Sequence, residues 1–164
     1  MNDDLRAKLK DATTQQKQTK KFLTNLKKQK AKKLDTLFHK AHEEVFQKID
    51  CLDCANCCKT TSPIFRDVDI ERISSYFKMK AAEFVKTYLR LDDDGDYVLQ
   101  NAPCAFLGED NKCSIYNHRP LACREYPHTD RKNMYQLLDL SHRNTLICPA
   151  VHDIVCKIRK NLQP

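Results

Sequence analysis

The sequence predicts a mainly α-helical fold, a small α+β domain in which the β structure is a short hairpin. Only two Gly and six Pro occur among the 164 residues. Residues 3–48 contain neither, a composition that favours helices over a Gly-turned β-sandwich. Apolar residues in that region recur at spacings of three and four, the period of an amphipathic helix. The length suits one domain with an added helical arm.

Residues 1–48 are predicted to form a basic helical arm, and residues 49–164 a cysteine-rich domain. Residues 1–50 hold 13 Lys+Arg against 7 Asp+Glu, so +6 of the net charge of +7 belongs to this region. A solvated helix face explains such a segment, and so does contact with an acidic partner or nucleic acid. Lysines without interleaved Arg or aromatic residues favour the solvated face. Its apolar positions are Leu5, Leu9, Phe22, Leu23, Leu26, Leu34, Leu37, Phe38, Ala41, Val45, Phe46 and Ile49.

Two helices and a strand are predicted after the cysteine cluster. Asp67-Val68-Asp69 is typical of a helix N-terminus, and a second helix covers residues 82–89. The acidic run Asp92–Asp96 resembles a calcium loop. Gly95 stands fourth rather than sixth, however, and no Glu occupies the twelfth place. We therefore expect a turn that leads into a short strand at Tyr97-Val98-Leu99.

The C-terminal third is predicted to be irregular at first and helical at its end. Turn residues Gly108 to Lys112 separate two short apolar runs, which indicates a small hairpin with Cys104 and Cys113 near its ends. From Cys148-Pro149 onward the pattern is an amphipathic helix that should close the core. Its apolar side carries Val151, Ile154, Val155, Ile158 and Leu162.

The N-terminus lacks the apolar run of a secretory signal, and no stretch approaches the roughly 18 apolar residues that span a bilayer. We therefore expect a cytoplasmic protein. In that compartment cysteines bind metal or carry out redox chemistry more often than they form structural disulfides.

Nine cysteines dominate the chemistry, and four of them fall within Cys51–Cys58. The run Cys51-x-x-Cys54-x-x-Cys57 resembles the local half of a ferredoxin cluster site, where a distant Cys-Pro supplies the last ligand. Cys148-Pro149 fits that role. Zinc sites more often pair two short knuckles, and the sequence offers no second Cys-x-x-Cys beyond this cluster. The spacing thus slightly favours an iron-sulfur cluster over zinc.

Cys57 and Cys58 are adjacent, so their side chains are expected to diverge and to serve different centres. Eight cysteines then divide into two sets of four. A single metal centre accompanied by free or redox-active thiols is the alternative. The first set is Cys51, Cys54, Cys57 and Cys148, and the second is Cys58, Cys104, Cys113 and Cys123.

Other candidate ligands and partners lie close to these cysteines in sequence. Both His118 and His128 can be metal ligands or simply polar loop residues. A helical spacing of four separates Cys148, His152 and Cys156, so that His152 or Cys156 can replace one of the eight. Cys156 is the expected odd cysteine. The cations Arg119, Arg124 and Lys59 lie next to cysteines in sequence, and Arg124 is the one expected beside the thiolates.

No nucleophile motif, Gly-rich phosphate loop or dinucleotide fingerprint is present. Catalytic residues and a substrate therefore stay unknown, and the sequence leaves open whether the protein is an enzyme.

The residues Cys51 to Cys58, with Pro103 to Pro127, resemble the Cys-x-x-Cys-x-x-Cys-Cys family of zinc- or iron-chelating domains. The more specific part of the resemblance is the second signature, and Cys148 matches the late cysteine of the family. The resemblance covers about residues 50 to 150. Its second signature reads Cys104-Ala-Phe-Leu, Cys113-Ser-Ile-Tyr and Arg119-Pro-Leu-Ala-Cys123-Arg-Glu-Tyr-Pro127.

The resemblance implies a cytosolic metal-binding protein with a cysteine-ligated iron-sulfur or zinc centre. Flagellin lysine N-methylases share the cysteine pattern, so a metal-dependent modifying enzyme is one alternative. A zinc-stabilised module that binds nucleic acid or protein is another.

Overall fold

A computed structural model describes residues 1–162 of the chain. The fold is mainly α-helical with one two-stranded antiparallel hairpin, which confirms the predicted fold class. The helices are α1 (Asp3–Thr14), α2 (Gln16–Leu26), α3 (Ala31–Phe46), α4 (Cys51–Cys54), α5 (Asn56–Thr60), α6 (Asp67–Tyr76), α7 (Ala81–Tyr88), α8 (Leu121–Glu125), α9 (Leu138–Thr145) and α10 (Pro149–Leu162). The strands are β1 (Leu89–Leu91) and β2 (Tyr97–Leu99), and short 3₁₀ turns cover Tyr116–His118 and Met134–Gln136.

The chain divides into two compact units. Unit 1 joins Met1–Cys54 to the residues from Pro127 onward, and unit 2 is Ala55–Tyr126. Residues 1–48 therefore belong to the same compact unit as the C-terminal helices. The predicted division into a helical arm of residues 1–48 and a domain of residues 49–164 stays a prediction.

The N-terminal region forms three helices within residues 3–46. The Asn2 side chain accepts a hydrogen bond from the Leu5 amide and so caps α1. A break at Gln15 separates α1 from α2, and residues 27–30, which carry no apolar side chain, separate α2 from α3. The strong periodicity of α3 is confirmed by the complete burial of Leu34 and Phe38.

Unit 1 has a helical core centred on α10, which packs against α1, α3 and α9. The predicted tail helix is confirmed because its apolar side is buried in this core. Cys148 packs against the same core at the start of α10. The buried residues are Phe22, Leu23, Leu26, Leu34, Phe38, Ala41, Val45, Met134, Leu138, Ala150, Val151, Ile154, Val155 and Ile158.

Unit 2 has a smaller core that is rich in aromatic rings. Phe84 is completely buried, and its ring lies parallel to that of Phe106, with the centroids 6.2 Å apart. Cys104 and Cys113 pack against this core. Its buried members are Phe65, Ile70, Ile73, Phe84, Leu89, Leu99, Phe106 and Ile115.

The hairpin of unit 2 pairs β1 with β2, with Leu89 opposite Leu99. The strand predicted at Tyr97-Val98-Leu99 is confirmed, and the acidic run before it is a turn in which the Asp92 carboxylate accepts hydrogen bonds from the Asp94 and Asp96 amides. The hairpin expected around Gly108–Lys112 is reduced to a single bridge between Leu107 and Cys113.

No helix within residues 1–162 combines the length and the apolar character needed to cross a membrane.

Candidate metal centres

The loop from Cys104 to Cys113 holds two thiols against the aromatic core. The Cys104 amide donates to the Cys58 carbonyl at 2.8 Å, and the Phe106 amide donates to the Cys104 sulfur at 3.5 Å. The turn depends on Gly108, whose amide donates to the Lys112 carbonyl at 2.7 Å. A Cβ at Gly108 would lie 2.8 Å from an Asp110 carboxylate oxygen. Backbone geometry thus fixes both thiols.

A buried carboxylate positions the segment that carries Cys123. The Asp69 side chain is fully buried and accepts from the Arg72 guanidinium at 2.6 Å, and its other oxygen accepts from Arg66. The first of these oxygens also accepts from the Leu121 amide, in the first turn of α8, at 3.3 Å. Arg72 in turn donates to the Arg119 carbonyl at 2.9 Å. This network ties α6 to the chain just before Cys123.

Four thiols of unit 2 interact electrostatically with one another. Burial, together with negative charge at neighbouring thiolates, raises the pKa of three of them, and Cys58 is a neighbour of each. The largest rise is at Cys123, to a pKa of about 12, because partial burial and the charges of all three other members oppose its ionisation. These electrostatic effects link Cys58, Cys104, Cys113 and Cys123, the predicted second set. That the four share one metal centre stays a prediction.

Cys58 is the member of this group that ionises most easily. A hydrogen bond from the Cys57 thiol, with the positive charges of Arg119 and Lys59, lowers the pKa of Cys58 to about 7. The prediction that Cys57 and Cys58 diverge is wrong. Both residues lie in the helical segment Asn56–Thr60, and the hydrogen bond from the Cys57 thiol to Cys58 shows that the two thiols approach each other.

Arg119 is the main cation beside this group. Its charge favours the thiolates of Cys58, Cys113 and Cys123. Its guanidinium lies 3.5 Å from the centroid of the Tyr116 ring, and its Nε donates to the Tyr116 carbonyl at 2.8 Å. Sequence proximity pointed to Arg124 instead. A cation held in this way stabilises an anionic thiolate site.

Chemically, this group fits a metal. One thiolate forms readily and its neighbours resist ionisation, so a bound cation would be needed to hold several thiolates together. Four cysteine sulfurs with backbone N–H donors around them are a suitable ligand set for zinc or for an iron-sulfur cluster.

A second group of thiols lies in unit 1. Burial and nearby thiolates at Cys51 and Cys54 raise the pKa of Cys148 to about 11, despite hydrogen bonds from the Val151 and Ala150 amides. The Cys148 sulfur thus accepts hydrogen bonds at the beginning of α10. Cys54 is buried, whereas Cys51 is exposed. These three residues are members of the predicted first set, and the place of Cys57 in it stays a prediction.

The remaining candidates have other surroundings. The His118 ring stacks on Tyr76, with the centroids 4.4 Å apart. His128 adopts a left-handed backbone conformation with φ 64°. The side chains of His152 and Cys156 lie beside Asp11 in unit 1. Sequence reasoning missed Asp11 because 141 positions separate it from His152. The only feature of the sequence that pointed to this group was the spacing of four between His152 and Cys156, which places both on one helical face.

Comparison with known proteins gives a family and one distant relative. Residues 50–148 match the model of the CxxCxxCC family, described as "Putative zinc- or iron-chelating domain". The uncharacterized protein MJ0661 of Methanocaldococcus jannaschii is 33% identical over 82 residues. That match includes 48% of this chain and 44% of the relative, so the chain spans less than half of the relative's length. No solved structure matches.

Proposed function

This chain belongs to the CxxCxxCC family of zinc- or iron-chelating domains, and we propose that it is a metal-binding protein with two cysteine-ligated centres. The first centre uses the four thiols of unit 2: Cys58, Cys104, Cys113 and Cys123.

The observation that carries this proposal is the mutual electrostatic effect of those thiols. Three of them have raised pKa values because burial and neighbouring thiolates oppose ionisation. A metal cation that displaces the thiol protons would remove this repulsion and stabilise the thiolates. Arg119 offsets part of the negative charge that four thiolates add to a divalent ion.

The second centre uses Cys51, Cys54 and Cys148. Its support is the electrostatic effect of Cys51 and Cys54 on Cys148, and the backbone N–H groups that face the Cys148 sulfur.

We propose iron-sulfur as the first choice of cofactor and zinc as the second. The triple Cys-x-x repeat followed by a distant Cys-Pro is typical of iron-sulfur ligation, and the family description includes both iron and zinc. Thiolate ligands must stay reduced, which suits the cytoplasmic location that we propose.

The first experiment is the visible spectrum and metal content of protein purified without oxygen, with iron, zinc and acid-labile sulfide measured on one sample. A broad band near roughly 400 nm with iron and sulfide in equal amounts supports the cluster. Colourless protein with stoichiometric zinc supports the metal-binding function and rejects the cluster. Protein that binds neither metal after reconstitution overturns the proposal.

Variants assign the ligands. Cys123→Ser should remove the metal of the unit 2 centre, and Cys148→Ser should affect only the other centre. Ala122→Ser is a matched control, because it adds a hydroxyl next to Cys123 without removing a thiol. If Cys123→Ser and Ala122→Ser retain the same metal content, Cys123 is not a ligand.

A further inference from the structure

A third group of metal-ligand side chains lies in unit 1, on α1 and α10. The ligand atoms of Asp11, His152 and Cys156 all lie within 4.8 Å of one another. We propose that these three residues form an additional site for a zinc-like divalent cation. His152 and Cys156 lie outside the family match, as does Asp11.

The geometry favours coordination over a proton relay. His152 Nε2 lies 2.9 Å from the Asp11 carboxylate oxygen and 3.6 Å from the Cys156 sulfur. An Asp-His-Cys relay uses one imidazole nitrogen for the acid and the other for the thiol. Here the same nitrogen is nearest to both groups. Ligand atoms of a tetrahedral zinc ion, with bonds of about 2.0–2.3 Å, are roughly 3.5 Å apart, so small side-chain adjustments would complete the site.

The fold holds the three residues in this arrangement. His152 and Cys156 are four residues apart on α10 and so share one side of that helix. α1 packs against α10, and this packing brings Asp11 beside His152. His152 is only 3% exposed, which is uncommon for histidine outside a functional or well-partnered position.

Neighbouring side chains orient the ligands by hydrogen bonds and offset their negative charge. Gln15 donates to both Asp11 oxygens, at 2.8 and 2.7 Å. Arg159 approaches the Cys156 sulfur at 3.7 Å and donates to the side-chain amide oxygen of Gln15. One carboxylate and one thiolate neutralise a divalent ion, and Arg159 and Gln15 supply the outer contacts that hold metal ligands in place.

The site also faces solvent on one side. The Asp11 side chain is 49% exposed, and Cys156 lines a surface cavity of about 520 Å³ together with Lys8 and Asp153. Three protein ligands with an accessible further position are typical of zinc sites that bind water or a small ligand.

Zinc binding to the full-length protein tests the proposal. Equilibrium dialysis against Zn²⁺ counts the zinc taken up beyond the metal present after purification. The wild type should bind one further equivalent. Asp11→Asn and Cys156→Ser should each weaken this binding at least tenfold. Asp153→Asn, on the same helix and in the same cavity, should leave it unchanged.

A second readout follows Cys156 directly and avoids replacing the buried His152. Added Zn²⁺ should slow alkylation of Cys156, measured by peptide mass spectrometry, at least tenfold in the wild type and not in Asp11→Asn. Equal zinc uptake by the wild type, Asp11→Asn and Cys156→Ser overturns the proposal. So does an equal loss in Asp153→Asn, because that result indicates general attraction by surface carboxylates. The Cys123→Ser variant should still bind the further equivalent of zinc, which distinguishes this site from the cysteine centres.

Discussion

The two units of this protein depend on different sources of stability. Unit 1 buries long helices such as α3, with 16 residues, and α10, with 14. Unit 2 has strands of three residues, and two of its thiols pack directly against its aromatic core. We therefore expect apolar packing to suffice for unit 1, and we expect unit 2 to depend on its proposed metal centre.

Removal of metal should produce the largest difference in stability between the two units. A strong chelator should abolish amide protection in Ala55–Tyr126, because thiolate centres contribute on the order of 10 kcal/mol to folding. Protection should persist in α3 and in the middle of α10. Hydrogen exchange read by mass spectrometry measures both units in one sample. Equal loss, or equal retention, in the two units would contradict the comparison.

Truncation of one buried ring in each unit should give similar losses of stability and different effects on the thiols. Phe38→Ala and Phe84→Ala should each cost about 3–5 kcal/mol in the free energy of unfolding, since both rings are completely buried. Only Phe84→Ala should speed alkylation of Cys104 and Cys113, which pack against the same core. Urea unfolding and alkylation rates provide the measurements. If Phe38→Ala exposes these cysteines equally, the aromatic core of unit 2 has no special role.

Replacement of Asp69 should weaken unit 2 selectively. Asp69→Asn should cost about 3 kcal/mol, because it leaves Arg66 and Arg72 without their buried carboxylate. It should also increase the exposure of Cys123, since Asp69 holds the Leu121 amide. Asp67→Asn is the matched control on the same helix, because Asp67 is exposed. The measurements are urea unfolding and alkylation of Cys123.

The same carboxylate predicts a direction for the pH dependence of stability. Burial alone would raise the pKa of Asp69, but hydrogen bonds from Arg72 and Arg66 outweigh burial and lower it below 3.8. The carboxylate therefore stabilises the fold above pH 3.8, and this contribution is lost as the pH falls through the lowered pKa. The stability difference between wild type and Asp69→Asn should shrink over that acid range. A constant difference down to the lowest measurable pH would argue against this origin.

The smallest expected effect is at the beginning of α1. Asn2→Ala removes the side-chain acceptor of the Leu5 amide and should cost about 1 kcal/mol. Because α1 belongs to unit 1, the metal content of the unit 2 centre should not change. Thermal unfolding detects the loss, and Asn2→Asp, which retains an acceptor, should restore most of it. Failure of Asn2→Asp to restore stability would show that the cap is not the cause.

Periodicity and spacing predicted the parts of the structure that depend on neighbouring residues in sequence. The tail helix followed from Pro149 and the apolar residues after it. The assignment of Cys58 and Cys123 to one metal centre came from the number and separation of the cysteines, and it stays a prediction. The breaks near Gln15 and residues 27–30 were not predicted, because no Gly or Pro marks them.

Features that depend on tertiary packing were beyond sequence reasoning. Arg119 lies beside the thiols because Arg72 and Tyr116 hold its backbone and guanidinium, and proximity along the chain pointed to Arg124 instead. Asp11 reaches His152 only because α1 packs on α10. The hydrogen bond from the Cys57 thiol to Cys58 replaced the divergence of side chains expected there.

The order of the units along the chain has a consequence for synthesis on the ribosome. Unit 2 is complete at Tyr126, whereas unit 1 needs α10, which begins at Pro149, to pair with α1 and α3. At translation rates of about 5–20 residues per second, residues 127–158 emerge over roughly 2–6 seconds. During that interval the thiols of unit 2 are already available to capture metal while the first helices still lack their partner. We therefore expect the thiols of unit 2 to meet metal before the helical core of unit 1 is complete.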